Sequence, residues 1–424
     1  VGIARRLAGY ALLAVAFIAG AFGAVAGTLA AAKLADAPAV FLTAGLALAG
    51  LLTLALAHLA LRLLGRPRRW RPALACGAVL VLAVGLLEAV YLLRPLADAV
   101  PPEARALPPG ATRWMLPTGS EVAVLKFESR GAVKGPPLLF LHGGPGAYSV
   151  ALTPTVEALS ALAGDGHDVY FYDQIGGGLS ARLDDVTQYT LARHLADLDA
   201  VVERIGSDRV VLVASSFGAS LGASFIARRP ERVAAAVFSG SGPLFHPDWI
   251  EVSDGKVDDV LSAAERERFS QAIEKPRLLA AVILAQLNPN AAARFAPEAE
   301  VGAFFDAVAN EFYLSATVCP GADALVTSGG YGFWSNRMTG KSLRSRSDDP
   351  RPRLRELTLP VLVLRGVCDY KKEAVAREYA EVFPNARFHA LEGAGHMPYL
   401  DAREGYLALV RPFLARVRAE LVGR

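Results

Sequence analysis

The chain has 424 residues, 53% of them hydrophobic and 20% charged, with a formal net charge of +3. That length exceeds one ordinary domain and the apolar fraction exceeds what a soluble enzyme needs, while the small charge excess leaves no basic footprint for nucleic acid. Three cysteines, one of them Cys76 in an apolar run, exclude a disulfide-rich scaffold and a CxxC metal site.

The apolar excess is concentrated at the start. Residues 7–32 and 37–61 carry no charged side chain, and 72–93 carry only Glu88. Each run reaches the roughly 20 residues that a helix needs to cross hydrocarbon about 30 Å thick. Residues 1–95 are therefore expected to form three transmembrane helices, with the lipid bilayer as a partner. Arg5 and Arg6 ahead of the first run also fit a signal peptide, but two further spans argue for a permanent anchor. Arg62, Arg66, Arg68, Arg69 and Arg71 fill the second connection, whereas the first has Lys33 offset by Asp36. Lys and Arg stay on the cytoplasmic side, so the amino terminus is expected inside and everything after about residue 95 outside the cytoplasm. Glu88 lies near the outer end of its helix and His58 near the inner end of its own; neither is given a role.

Pro101, Pro102, Pro108 and Pro109 make residues 96–110 a semi-rigid connector. Beyond it, strand patterns fall at 112–116, 122–127, 138–141, 169–172, 210–214, 233–239, 361–365 and 387–390, with helical patterns between most of them. This alternation predicts an α/β class, a mostly parallel sheet covered by helices on both faces. The unbroken apolar runs VVLVA (210–214) and VLVL (361–364) suit central strands. Residues 245–345 break the alternation and are expected to form a helical cap. They split the core into 111–244 and 346–424 and lie where ligands bind in open α/β sheets, at the carboxyl ends of the strands.

A serine hydroxyl needs an adjacent base, a group that orients the base, and donors for the oxyanion. In RVVLVASSFGASLG (209–222) a buried strand ends in small residues and a helix begins, the context of a nucleophile held on a tight turn. Two registers compete. GASLG (218–222) spells G-x-S-x-G but puts Ser220 a full turn into the helix, whereas ASSFG (214–218) puts Ser216 at the strand end, so Ser216 is taken as the nucleophile. In LLFLHGGPGA (138–147) a strand runs into glycines whose N–H groups can face a ligand oxygen; Gly144 and Phe217 are the nominated oxyanion donors. Asp369 follows the strand at 361–365, and His396 sits in a glycine-rich loop after the last strand. The order Ser, Asp, His is that of α/β hydrolases. His142, His167, His194, His246 and His389 are read as structural or solvated. No cofactor and no metal is expected, because no cluster has ligand spacing and no phosphate loop is present. Cys319 and Cys368 could pair in an oxidising compartment, but free thiols are the expectation.

HGGPG (142–146), YDQIGGGLS (172–180), the SSFG turn and GAGHMPY (393–399) resemble the proline iminopeptidases of the α/β-hydrolase superfamily, over roughly residues 112–240 and 358–420. The resemblance implies an α/β-hydrolase core with an inserted helical cap and release of an N-terminal residue, often proline, from a peptide. It places Asp173 in the loop that shapes the site, as a substrate-binding candidate. The chain departs from the family at Ile175, where Arg is usual, at Phe217, where Trp is usual, and at Ala214, where Gly is usual. The family's Trp-rich cap segment, with a Glu for the substrate amine, has no clear counterpart; Glu311 in ANEFYLS (309–315) is the substrate-binding candidate. A short peptide or aminoacyl amide is the first expected substrate, and an ester or membrane-derived acyl compound the second. A catalytically silent, membrane-tethered binding protein is the third reading, and the oligomeric state is left open.

Overall fold

Small residues decide how the first helices meet. In the computed structural model, which describes residues 2–98, 105–130, 134–321, 327 and 329–422, the helices Ile3–Ala32, Pro38–Leu63 and Trp70–Leu92 are each long and apolar enough to cross a membrane. Ala16, Ala49, Ala57 and Ala73 are fully buried between them, and a Cβ on Gly20 or Gly45 would collide with Thr53 or Thr28 of the neighbouring helix. Thr53 Oγ1 donates to Ala49 O at 2.8 Å and to Ala16 O at 3.3 Å. Many large apolar side chains point outward instead, among them Phe22, Leu51, Leu82 and Leu86, while Phe41 is a buried exception. Small residues inside and large ones outside reverse the order of a water-soluble bundle and match close packing of helices in lipid.

The chain divides into two compact units, and the first consists of Val1–Asp98 together with Ile273–Glu300. Part of the segment expected as cap thus packs with the apolar helices. Within this unit Arg277 is buried and donates to Glu300 at 2.6 and 2.9 Å, to Phe295 O at 2.7 Å and to Leu92 O. Glu300 also accepts from Leu96 N at 2.9 Å. At the other end of the Pro276–Leu287 helix, Asn288 Nδ2 donates to Ala32 O and to Asp36 Oδ1, both at 2.9 Å. The helix is therefore hydrogen-bonded at its two ends to the last turns of the first and third apolar helices.

The second unit, Ala99–Ala272 with Val301–Arg424, holds one sheet of eight strands. They are β1 (Ala111–Met115), β2 (Glu121–Phe127), β3 (Leu138–Leu141), β4 (Val169–Tyr172), β5 (Val210–Ser215), β6 (Val233–Ser239), β7 (Val361–Gly366) and β8 (Ala386–Leu391). The spatial order is β1-β2-β4-β3-β5-β6-β7-β8; the β1–β2 and β2–β4 pairs are antiparallel and the rest parallel. Side chains alternate between the faces of a strand. Val210, Leu212 and Ala214 accordingly enter one core with Phe225 and Tyr379, while Val211 and Val213 enter the other with Phe171 and Tyr406. Burial on both faces is why these central strands read as unbroken apolar runs. The β1–β2 turn is fixed by Asp197, which accepts from Thr118 Oγ1 at 2.5 Å and Ser120 Oγ at 2.8 Å. Gly119 takes the positive φ of +81° that the turn requires.

Candidate active site

The end of β5 is sharply turned. Ser216 has φ 55° and ψ −122°, a region that a residue with a Cβ enters only when its surroundings force it. Those surroundings are three backbone hydrogen bonds: Ser216 N donates to Ser239 O at 3.1 Å, and Ser216 O accepts from Ala219 N at 2.9 Å and Gly242 N at 3.0 Å. The helix Phe217–Arg228 starts at once, and Gly218 lets it approach β3, because a Cβ there would strike the Leu141 carbonyl. Ser220 lies inside that helix, fully buried, and does not line the cavity described below.

Next to Ser216 lies the loop after β3. A Cβ on Gly143 would come 2.8 Å from Ser216 Cβ, so only glycine fits, and Gly144 adopts φ +111°. The N–H groups of Gly144 and Phe217 donate to no acceptor among the described residues. His142 holds the loop rather than reacting. Gln174 N donates to its Nε2 at 2.9 Å, which leaves the proton on Nδ1 to donate to Gly143 O at 2.9 Å, and Gln174 Nε2 donates to His142 O at 2.9 Å. Burial pushes the His142 imidazole below the usual histidine range, and burial lowers His194 to about 3. Both are neutral in the folded protein, whereas in the unfolded chain they take up protons near pH 6.5. Their contribution to stability is therefore complete above about pH 6.5 and is lost as the pH falls toward the folded values. Thermal unfolding between pH 6 and 4 is expected to show stability falling by about 1.4 kcal/mol per pH unit from His194, with His142 adding in the same direction; a flat profile would contradict the neutral-buried assignment.

Asp369 and His396 come from the loops after β7 and β8. His396 Nδ1 and Asp369 Oδ1 are 2.8 Å apart, with both side chains almost fully buried. Lys371 N also donates to Asp369 Oδ1 at 2.9 Å. Burial alone would raise the Asp369 carboxyl, but His396, the Lys371 amide and the Arg365 charge outweigh it and hold the group below the ordinary carboxylate range. The Tyr370 ring lies 4.4 Å from the imidazole, centroid to centroid. Ser216 and His396 both face one cavity of about 470 Å³, and no hydrogen bond joins Ser216 Oγ to the imidazole among the described residues. Such bonds are often long before substrate binds.

That cavity corrects two substrate-binding expectations. Asp173 is wholly buried and outside it, accepting from Ser149 N at 2.6 Å, Val150 N at 2.9 Å and Leu179 N at 2.9 Å. It shapes the loop through backbone amides and touches no ligand space. Glu311 is exposed, because its turn directs Phe312 into the interior and Ala309 and Tyr313 toward the cavity. The acidic side chain that does line the space is Asp306. Its Oδ1 accepts from Tyr331 N at 3.0 Å, its Oδ2 from Gly330 N at 2.8 Å, and Arg105 lies 3.7 Å away. Sequence reasoning also passed over Gly143 and Tyr370. The double glycine of HGGPG and the aromatic beside Asp369 were the available signals.

The free-thiol expectation is overturned as well: Cys319 and Cys368 form a disulfide, with Cα atoms 5.2 Å apart. Sequence separation hid their proximity. The bond joins the residue before Asp369 to the segment whose Thr317 O accepts the His396 N–H at 2.7 Å. It thus ties together the backbones that carry the acid and the imidazole. With the cysteines 49 positions apart in sequence, the chain-entropy model gives about 4 kcal/mol of stabilisation. Cys319→Ser or Cys368→Ser is expected to lower the melting temperature and to reduce activity, and differential scanning calorimetry with and without reductant checks it. A melting temperature indifferent to both would refute the role. Among the described residues no cluster could hold a metal ion.

Known proteins share this fold. The family model for the alpha/beta hydrolase fold matches residues 136–402. A proline iminopeptidase of Heyndrickxia coagulans is 27% identical over 300 residues, 70% of this chain and 96% of its own. One from Lactobacillus delbrueckii subsp. bulgaricus is 26% identical over 298 residues, 66% of this chain and 89% of its own. Among solved structures, VinJ superposes with a TM-score of 0.50 at 20% identity, covering 73% of this chain and 99% of VinJ, a likeness of fold alone. The chain belongs to the alpha/beta hydrolase fold family and is similar to proline iminopeptidases within it.

Proposed function

We propose that the protein is a membrane-anchored serine hydrolase that works through an acyl-enzyme. The observation that carries this reading is the Asp369–His396 pair at 2.8 Å, opening on the cavity that also exposes Ser216 on its strained turn. In this mechanism His396 Nε2 takes the Ser216 proton as Oγ attacks a carbonyl carbon. Asp369 holds the imidazolium, and the Gly144 and Phe217 N–H groups bind the oxyanion. His396 then returns the proton to the leaving group, and water, activated by the same imidazole, releases the acyl group.

The bilayer anchor is supported by the three apolar helices and their outward-facing large side chains. Residues 62–71, rich in arginine, are assigned to the cytoplasmic side and the hydrolase unit to the outer side. The Cys319–Cys368 disulfide supports that assignment, because such bonds persist in oxidising compartments. Substrate is assigned to short peptides or aminoacyl amides, on the strength of the proline iminopeptidase relatives. Aminoacyl amides with a free amine are expected to be cleaved faster than their N-blocked forms, measured as kcat/KM on the detergent-solubilised full chain. Equal rates would remove the exopeptidase reading, and preference for simple esters would put an esterase in its place.

A further inference from the structure

One charged side chain on the cavity wall has no task in the fold. Arg337 lies on the helix Phe333–Arg344, half-buried, and lines the same cavity as Ser216 and His396. Its backbone is firmly placed. Gly332 N, at the start of that helix, donates to Gly146 O at 2.7 Å, and Asn336 Nδ2 donates to Pro145 O at 2.8 Å, so the helix is stitched to the loop that carries Gly144.

The guanidinium itself makes no ion pair or hydrogen bond among the described residues. Other partly buried arginines of this chain behave differently: Arg351 pairs with Asp248, Asp349 and Glu378, and Arg277 with Glu300. Nor does an acid of the cavity serve Arg337 among the described residues. Asp306 is taken up by two backbone amides and Arg105, Asp369 lies behind His396, and Glu311 faces solvent. The nearby charge that acts on it is the like charge of Arg344, which together with burial pulls its pKa down. A desolvated, uncompensated cation costs free energy unless a ligand supplies the anion.

We propose that Arg337 is the subsite for a substrate carboxylate, and that the preferred substrates are short peptides with a free carboxyl end. The planar guanidinium fork matches a carboxylate through two parallel N–H···O bonds. Among the described residues no second cation free of the catalytic pair lines the cavity, which suits a monoanion better than a phosphate dianion. Apart from Asp306, whose carboxylate is held by the Gly330 and Tyr331 amides, much of the remaining described wall is aromatic, with Tyr148, Phe305, Tyr313, Tyr331 and Phe333, and a volume of about 470 Å³ accommodates a small peptide. The substrate class rests on the peptidase reading above; the carboxylate subsite does not.

The test uses the full chain in detergent and compares kcat/KM for a dipeptide with that for its carboxamide. The wild type is expected to favour the free acid by at least about tenfold. In Arg337→Met the ratio should fall toward one, and in Arg337→Lys it should partly recover. Fluorophosphonate labelling of Ser216 in each variant reports that the site is folded. A wild-type ratio of one or less, or a ratio unmoved in a labelled Arg337→Met protein, overturns the proposal. If Arg337→Met fails to label, the wild-type and Arg337→Lys ratios decide. If the wild type cleaves neither peptide, the peptidase reading fails by itself. The same ratio is then measured on the nitrophenyl half-ester of a short dicarboxylic acid against its methyl-capped diester, with the same outcomes deciding for or against Arg337.

Discussion

Replacing Ser216 with alanine is expected to lower turnover by at least about 10⁴-fold and to abolish covalent labelling by a fluorophosphonate, while Ser220→Ala keeps both. The contrast follows from where the two hydroxyls are. Ser216 occupies the turn itself, with its φ of 55°, its carbonyl held by Ala219 and Gly242, and its side chain beside Gly143 at the cavity. Ser220 is fully buried one turn further along the helix, where no substrate carbonyl can reach it. Ser216→Ala removes one oxygen and leaves the fold's hydrogen bonds intact, since those bonds are made by its backbone. A loss of activity can therefore be read as chemistry, provided that the melting temperature is unchanged. Retained labelling in Ser216→Ala would move the nucleophile elsewhere and dissolve the mechanism proposed above.

The same pair of serines shows what a sequence can reveal. G-x-S-x-G is spelled better around Ser220, but the strand–turn–helix context favours Ser216, because a nucleophile must stand where a buried strand stops. The eight strands were legible for a related reason. Burial on one or both faces writes a local pattern into consecutive residues, and each strand lies within a residue or so of its expected position. Properties that depend on long-range proximity were not written this way. Cys319 and Cys368 are 49 residues apart, and only the folded loops bring their Cα atoms to 5.2 Å. Glu311 sits among aromatics in the chain yet turns outward in the fold, while Arg337, unremarked in the sequence, faces the cavity. The segment Ile273–Glu300 reads as ordinary cap helix, and nothing local announces that Arg277 and Asn288 bond to the ends of the apolar helices.

Asp369→Asn should cost about 10⁴-fold in turnover with far less change in KM. An ionised carboxylate accepts the His396 Nδ1 proton and leaves Nε2 free to take the Ser216 proton. An amide can present its own N–H to Nδ1 instead, which puts the imidazole proton on Nε2 and removes the base. The replacement also erases a pH dependence. Because the folded carboxyl titrates below its ordinary value near 3.9, its ionised form stabilises the native state. That stabilisation is complete above the unfolded value and disappears as the pH falls through the lower folded one. Wild type should therefore lose stability between about pH 4 and the folded value in a way that Asp369→Asn does not, and acid titration of the melting temperature for the two proteins measures the difference. If Asp369→Asn kept full activity, His396 would be oriented by some other acceptor. Its Asp369 contact would then be structural, and the peptide-bond chemistry proposed for Ser216 would need a different source for its base.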